Sequence, residues 1–293
     1  MTTLIIGCGY LGQRAGVLLR RRGERVYGTV RSQGRAAEIA GLGIEPVVAD
    51  VLEPDSIRGL PAAECILYCV GFDRSAGASM RTVYVDGLRN VLDCLLSGAT
   101  RFVFASSTGV YGQTGGEWVD EETPPGPRHE SGKLCLGAEE RVRSWDSERN
   151  SGSSAIVLRF AGLYGPGRIV RRAMLERGEP IPGGPDRFLN LIHIDDAARA
   201  AVAALATGVA HPIYVIADDR PVTRREYYSR VATLLGAPEP RFALPQPGTL
   251  EATRDETNKR IANRRMRAEL VLDLVYPDIL TGLPAALSSS RHD

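Results

Sequence analysis

Two side chains four residues apart, His129 and Lys133, form a pair that could handle a proton. Positions with this spacing meet on one helix face, provided that the helix has begun by residue 129. Imidazole titrates near ~6.5, and a neighbouring ammonium disfavours its charged form, so His129 is expected to be neutral and able to accept a proton from an alcohol. Pro124, Pro125 and Pro127 leave the start of the helix open, and His129 could equally be a loop residue without a role.

A glycine-rich loop at the N-terminus predicts a nucleotide site. Gly7, Gly9 and Gly12 form a GxGxxG motif between a short apolar run and a helical stretch. The three glycines permit a tight turn, close approach of backbone to a pyrophosphate and helix packing on the strand. The helix start then offers N–H groups to the phosphates, with Tyr10 and Leu11 as further contacts. The alternative is a glycine-rich turn that binds no ligand.

The residues after the second predicted strand bear on the choice of cofactor. An NAD site of this kind has an acid there for the ribose 2′-hydroxyl, about 20 residues after the glycines. This chain has Arg31 and Ser32 instead, and its next carboxylate is Glu38. A guanidinium and a hydroxyl suit a 2′-phosphate, so we predict NADP in preference to NAD. Arg31 could otherwise be a solvated surface charge, and Asp50, expected near the adenine, could instead cap a turn.

The order of the predicted strands and helices indicates the fold that would position these residues. β-rich runs alternate with helical stretches through the first half of the chain, which is typical of parallel strands joined by crossover helices. We predict an α/β fold, with a Rossmann-type doubly wound parallel sheet of about seven strands at residues 1–164. Residues 165–293 are expected to form a smaller C-terminal substrate domain, with part of 188–217 returning to the Rossmann core.

Composition narrows the class of partner. The 36 basic and 35 acidic residues give a net charge of +1, so we predict a small-molecule substrate and neither nucleic acid nor a membrane as partner. No export signal or long apolar span is visible, which favours the cytoplasm. The five cysteines lack a paired CxxC and are expected to be buried, reduced thiols with no metal site.

Four segments carry a family resemblance: FVFASSTGVYG (102–112), LRFAGLYGPGR (158–168), LIHIDDAARA (191–200) and PVTRREYYSRVATLLG (221–236). Their order and spacing resemble the extended short-chain dehydrogenase/reductases, specifically the NAD-dependent epimerase/dehydratase family. The resemblance implies a Rossmann sheet with a small substrate domain, a bound nicotinamide nucleotide and a Ser/Thr, Tyr, Lys catalytic set. It also implies a homodimer, which relatives often form through a four-helix contact.

The resemblance places the catalytic set as follows. Ser107 falls on the family's Ser or Thr, and Lys133 falls on the lysine that holds the nicotinamide ribose and lowers the tyrosine pKa. His129 stands where the family has its tyrosine. Val51, Val70 and Gly71 complete the predicted cofactor contacts.

Tyr111, Gly162 and Arg168 are the predicted substrate contacts. Gly162 replaces an asparagine, and Leu189 an arginine, that sugar-nucleotide enzymes usually have, and both departures argue against a nucleotide sugar as substrate.

Three functions are consistent with these residues. The first is an atypical short-chain reductase or epimerase-like enzyme that moves hydride between NADP(H) and a hydroxyl or carbonyl compound. The second is a catalytically impaired NADP(H)-binding sensor, which the missing tyrosine favours. The third is a nucleotide-sugar epimerase or dehydratase.

Overall fold

The computed structural model describes residues 1–94, 99–149, 154–206, 211–271 and 273–288. The chain divides into two compact units. Unit 1 comprises Met1–Ser107, Ser131–Arg159 and Ala198–Tyr214, and unit 2 comprises Thr108–Glu130, Phe160–Ala197 and Val215–Asp293. This division differs from the predicted 1–164 and 165–293 because the chain enters unit 2 for residues 108–130 before it returns to unit 1.

The strands, in chain order, are β1 (Thr2–Ile6), β2 (Arg25–Val30), β3 (Glu45–Val48), β4 (Cys65–Tyr68), β5 (Arg101–Ser107), β6 (Glu117–Val119), β7 (Ser154–Phe160), β8 (Gly162–Tyr164), β9 (Ile181–Pro182), β10 (Phe188–Leu189), β11 (Leu191–His193), β12 (Ile213–Ile216), β13 (Val222–Thr223), β14 (Phe242–Ala243) and β15 (Lys259–Ile261). The helices are α1 (Tyr10–Arg21), α2 (Gln33–Gly41), α3 (Pro54–Arg58), α4 (Gly87–Cys94), α5 (Glu130–Arg149), α6 (Arg172–Glu176), α7 (Ile194–Ala206), α8 (Arg224–Leu235), α9 (Leu250–Asp255), α10 (Arg264–Glu269) and α11 (Ile279–Ser288). Short 3₁₀ turns lie at Arg74–Ala76 and Thr108–Val110, and a π-helical turn at Thr82–Asp86 leads into α4.

The main sheet has seven strands in the order β12-β7-β5-β4-β1-β2-β3. The pairs β1 with β2, β1 with β4, β2 with β3 and β4 with β5 are parallel. The chain starts in the middle of the sheet, builds outward through β2 and β3, and then crosses to β4 and β5 on the other side. This order confirms the predicted Rossmann-type doubly wound sheet.

The core of unit 1 explains why the central strands consist of uninterrupted apolar residues. Leu4 and Ile6 of β1 and Ile66 of β4 are each at most 1% exposed, because helices cover both faces of a parallel sheet. The same cluster includes Phe102 of β5 and Trp145 of α5, whose rings lie 5.4 Å apart. The contact joins α5 to the start of β5, the strand that ends at Ser107.

Unit 2 is built from short strand pairs around an aromatic core. Tyr164, Tyr227 and Tyr228 are nearly or fully buried there with residues of α11. His193 is 1% exposed and packs between the rings of Tyr164 and Tyr276, at 5.3 and 3.9 Å. This histidine belongs to the packing of unit 2.

Within the described residues, none of the helices combines the length and the apolar character that a membrane span requires.

Candidate functional site

The turn that joins β1 to α1 is shaped by a backbone contact at Gly7. This residue has φ 87°, a conformation that side chains rarely adopt, and a Cβ atom built on it would lie 2.7 Å from the Cα of Val70. The Gly7 N–H donates to Thr29 Oγ1 at 2.9 Å, and the Cys8 N–H donates to the Thr29 carbonyl at 2.9 Å. The loop is therefore held between β2 and the residues that follow β4. This fits the tight turn that was predicted for the first glycine of the motif.

Gly12 allows α1 to pack closely against β1. A Cβ atom there would lie 2.9 Å from Ile5 Cγ2 and 3.0 Å from the Gly7 carbonyl. Gly9 is the N-cap of α1, where neither a side-chain cap nor an acidic residue in the first turn competes for a ligand. The helix start therefore presents backbone N–H groups and the positive end of its dipole, an arrangement that fits a pyrophosphate.

The end of β2 carries the residues expected to select the cofactor. Arg31 pairs with Asp73 at 2.7 Å, and both side chains are about half exposed. Hydrogen bonds from Ser75 and then from Arg31 lower the pKa of Asp73 to about 2, so this carboxylate is charged at neutral pH. Ser32 caps α2 by accepting the Arg35 N–H at 3.4 Å. A cofactor phosphate would have to compete with Asp73 for Arg31, which the sequence analysis did not foresee.

The remaining predicted cofactor contacts differ in their surroundings. Asp50 Oδ1 accepts the Leu52 N–H at 2.9 Å, so it closes a turn, which was the structural alternative for this residue. Val51 is 8% exposed, and its carbonyl accepts Asn90 Nδ2 at 3.0 Å. Val70 borders Gly7, whereas Gly71 is exposed with open space above it. Cofactor contacts of Val70 and Gly71 stay predictions.

A buried ionic network lies beside Ser107. Glu139 of α5 is fully buried, and its carboxylate accepts Arg159 Nη2 at 2.6 Å and Arg159 Nε at 3.0 and 3.2 Å. Ser106 Oγ donates to the same carboxylate at 2.6 Å. Because successive strand residues point to opposite faces, Ser106 faces this network and Ser107 faces away from it. The network fixes α5 against β5 and β7, and sequence patterns give no signal for a buried glutamate.

The faces of α5 bear on the role predicted for Lys133. Lys133 is exposed and shares the outer side of the helix with Gly137 and Glu140. Residues at the spacing of Glu139, namely Ser131 and Cys135, lie on the inward stripe instead. A ribose contact for Lys133 stays a prediction. Ser131, Cys135 and Glu139 recur at a spacing of four, which places them on one side of the helix.

The start of α5 also affects the predicted pair. The helix begins at Glu130, one residue after His129. His129 thus immediately precedes the first turn of the helix that carries Lys133. A proton-accepting role for His129 stays a prediction.

Neither tyrosine near the family motifs can replace the missing one. Tyr111 is fully buried and its hydroxyl donates to the Asp120 carbonyl at 2.7 Å, so the predicted substrate contact is corrected to a structural role in unit 2. Tyr164 is also fully buried, and burial raises the pKa of its hydroxyl well above the ordinary value. Both hydroxyl groups belong to the interior.

The other predicted substrate residues are at the surface of unit 2. Gly162 is exposed in β8, and Arg168 is exposed in a turn closed by the Arg168 N–H and the Gly165 carbonyl at 2.9 Å. Nearby, Arg171 has φ 57° and Arg172 pairs with Glu176 at 2.8 Å. Arg168 lies in the exposed part of this turn, and Arg172 is paired with an acidic side chain.

The five cysteines are all free thiols. Burial raises the pKa of Cys8 to about 12 and that of Cys135 to about 11, so both are protonated at neutral pH. Cys69 Sγ donates to the Gly7 carbonyl at 3.2 Å. This thiol helps to hold the glycine loop.

Comparison with known proteins agrees with this arrangement. The sequence profile of the NAD-dependent epimerase/dehydratase family matches residues 3–217. Protein YeeZ of Escherichia coli K12 is 30% identical over 284 residues, covering 94% of this chain and 96% of that protein. A 3-diazoavenalumate denitrifying reductase of a Streptomyces species is 28% identical over 97% of this chain and 99% of its own length. The solved Thermus thermophilus UDP-glucose 4-epimerase, in complex with NAD, is 19% identical, covers 100% of this chain and 99% of its own, and has a TM-score of 0.79, which shows the shared fold.

The buried network gives a stability prediction. Glu139→Ala leaves the Arg159 charge buried without its partner, which is expected to lower the free energy of unfolding by about 3–5 kcal/mol. Replacing both partners, as Glu139→Leu with Arg159→Met, is expected to cost less than the single change because no charge remains buried. Urea denaturation of the three proteins measures both effects. A loss of under about 1 kcal/mol for Glu139→Ala would contradict the burial of this pair.

Proposed function

The chain belongs to the NAD-dependent epimerase/dehydratase family, and from that premise we propose that it is an NADP(H)-dependent oxidoreductase. Its substrate is a small molecule whose hydroxyl or carbonyl carbon exchanges a hydride with the cofactor. The proposal goes beyond the family assignment in two respects, the preference for NADP and the type of reaction.

One observation carries the proposal, the contact between Gly7 and Val70. The 2.7 Å distance from a Cβ position on Gly7 to Val70 Cα leaves room for bare backbone only. With the uncapped start of α1, this gives a cradle that fits a pyrophosphate, and Gly7, Gly9 and the first residues of α1 would hold it. When bound, the nicotinamide nucleotide supplies or accepts the hydride.

The protein's own part in the reaction is assigned chiefly to Ser107. Its hydroxyl lies at the end of β5, on the opposite side from Ser106, and would donate a hydrogen bond to the reacting oxygen of the substrate. The Glu139 network holds β5 and α5 in fixed relation, so that this hydroxyl is positioned before the substrate binds. His129 is the proposed proton acceptor when an alcohol is oxidised.

The preference for NADP is supported by the charges after β2. Glu38 is the first carboxylate after β2, and it pairs with Arg35 at 2.5 Å. The cations Arg31 and Arg35, with the Ser32 hydroxyl at the α2 start, suit a 2′-phosphate better than a ribose hydroxyl. When the cofactor binds, Arg31 would then leave Asp73 and pair with the 2′-phosphate.

A second candidate, an NADP(H)-binding sensor without catalysis, is favoured by the two buried tyrosines. Tyr111 and Tyr164 have their hydroxyls inside unit 2, so neither of these two phenols replaces the tyrosine of the usual catalytic set. Such a protein would retain the pyrophosphate cradle but would not catalyse hydride transfer. Turnover distinguishes the two candidates, because only the enzyme consumes NADPH.

A change at Arg31 tests the preference for NADP. Arg31→Ala is expected to weaken NADPH binding by about tenfold or more while NADH binding stays the same, because a hydrogen bond to a charged group contributes about 1.5–3 kcal/mol. Asp73→Asn is expected to strengthen NADPH binding, since it releases Arg31. Fluorescence titrations at two ionic strengths measure these affinities.

A matched control for that experiment is Arg25→Ala. It removes another exposed arginine paired with a carboxylate, at 2.9 Å from Glu45, and should leave both affinities unchanged. An NADPH to NADH ratio that is the same in wild type and Arg31→Ala would reject the phosphate contact.

Substitution of Ser107 tests the proposed chemistry. On a carbonyl compound that wild type reduces, Ser107→Ala is expected to lower kcat by about a hundredfold or more, as loss of an oxyanion hydrogen bond does in other enzymes. Ser107→Thr keeps the hydroxyl and is the matched control, with activity expected within about tenfold of wild type. The assay follows NADPH oxidation over a panel of carbonyl compounds. A Ser107→Ala enzyme as fast as wild type would remove Ser107 from the mechanism, and NADPH binding without any turnover across the panel would favour the sensor.

A further inference from the structure

Lysine is almost absent from this chain, and one of its two lysines is buried. Of the 36 basic residues only Lys133 and Lys259 are lysines. Lys133 is exposed, whereas Lys259 in β15 is 8% exposed. Lysine is seldom buried unless its ammonium has a partner, so the surroundings of Lys259 require an explanation.

The backbone around Lys259 is firmly held. β15 pairs in parallel with β6 along one edge, and the Asn190 carboxamide bonds to its other edge, donating to the Lys259 carbonyl at 2.9 Å and accepting the Ile261 N–H at 2.8 Å. Asn258 Oδ1 accepts the Phe188 N–H at 2.8 Å. The position of Lys259 is therefore fixed by contacts on both sides of the strand.

The two cations of β15 lie on opposite faces. Arg260 lies over the rings of Trp118 and Phe188, at 4.9 and 5.1 Å, and its Nε donates to the Gly116 carbonyl at 2.7 Å. Strand alternation places Lys259 on the other face, together with Ile261, which is 1% exposed. Arg260 is thus satisfied by aromatic rings and a carbonyl, while Lys259 is directed to the apolar face.

No acidic side chain among the described residues is found in an ion pair with Lys259, nor is a hydrogen bond to its amine. Glu117 is its register neighbour in β6, but Glu117 Oε2 accepts the Gly115 N–H at 2.9 Å. Burial lowers the pKa of Lys259 to about 8, so the amine is still mostly protonated at pH 7. The side chain of Lys259 is thus largely buried and its ammonium has no acidic partner among the described residues, which favours the binding of an anion there.

The stretch that is hydrogen-bonded to the residue before Lys259 contains a buried polar atom without a partner among the described residues. Gln113 Oε1 is buried without a hydrogen bond from the described residues, and the Gln113 carbonyl accepts the Asn258 N–H at 2.8 Å. The stretch that is hydrogen-bonded to the residue before Lys259 therefore carries one unsatisfied buried polar atom. Such groups are uncommon in interiors and are frequent where a ligand binds.

We propose that Lys259 is an anion-binding residue of unit 2, whose amine binds an oxyanion, carboxylate or phosphate, carried by the substrate. Binding supplies the counter-charge that the described residues do not. The inference rests on the proposed function only in assigning the anion to a substrate, and the binding event itself is measurable without turnover.

The scarcity of lysine makes the test direct. Protein labelled with ¹⁵N at the lysine side chains gives two Nζ signals, which are observed through the adjacent Cε protons, and the signal lost in Lys259→Met identifies Lys259. Sodium benzoate, inorganic phosphate and sodium chloride are titrated separately at pH 7. One of the two oxyanions is expected to move the Lys259 signal saturably and to raise its titration midpoint by about one pH unit or more, while exposed Lys133 serves as an internal control.

The separate titrations distinguish which kind of anion binds at Lys259. A response to benzoate indicates a carboxylate on the substrate, and a response to phosphate indicates a phosphoryl group. A Lys259 signal that moves with neither anion, or no more than with chloride, overturns the proposal. If Lys259→Met does not fold, Lys259→Arg serves to identify the signal. NADPH affinity measured on the same variants is expected to equal that of wild type, so failure of the cofactor site would be recognised separately.

Discussion

The account depends on the approach of two backbone segments, Gly7 at the end of β1 and Val70 beyond the end of β4. Any side chain at position 7 would overlap the Val70 backbone, and the φ of 87° excludes most residues as well. This contact turns the chain sharply enough for α1 to start beside the sheet with its N–H groups uncovered. The Thr29 hydrogen bonds and the Cys69 thiol then hold the loop in this shape from two directions.

A second constraint fixes the part of unit 1 that carries Ser107, the residue proposed to contact the reacting oxygen. Glu139 and Arg159 are both buried, and together with Ser106 they set how α5 lies against β5 and β7. Because the helix cannot rotate without breaking this pair, Ser131 and Cys135 stay on the inward stripe and Lys133 stays outside. The catalytic roles of Ser107, His129 and Lys133 stay predictions.

The sheet was predictable because its signals are local. Apolar runs alternate with helical stretches at a spacing that only parallel strands with crossover helices satisfy, and the glycine motif lies directly between such a pair.

The Arg31 to Asp73 pair was not predictable, since 42 residues separate its members. Nor was the excursion of residues 108–130 into unit 2, because nothing in that polar segment shows which neighbours it contacts. For α5 the prolines before Glu130 hid where the helix starts, and a shift of one or two residues changes which side chains face inward. Tyr111 shows a related limit, since a motif gives the residue type but not the partner of its hydroxyl.

Calorimetric titration of NADPH into wild type and Gly7→Ala, with Gly34→Ala as control, tests the cradle most directly. Gly34 has open space around its Cβ position, so the control changes the same residue type without a clash. The account predicts saturable binding of one NADPH per chain to wild type and to the control, and loss of binding in a folded Gly7→Ala protein. If Gly7→Ala binds NADPH as tightly as wild type, or if wild type does not bind it, the central claim is contradicted.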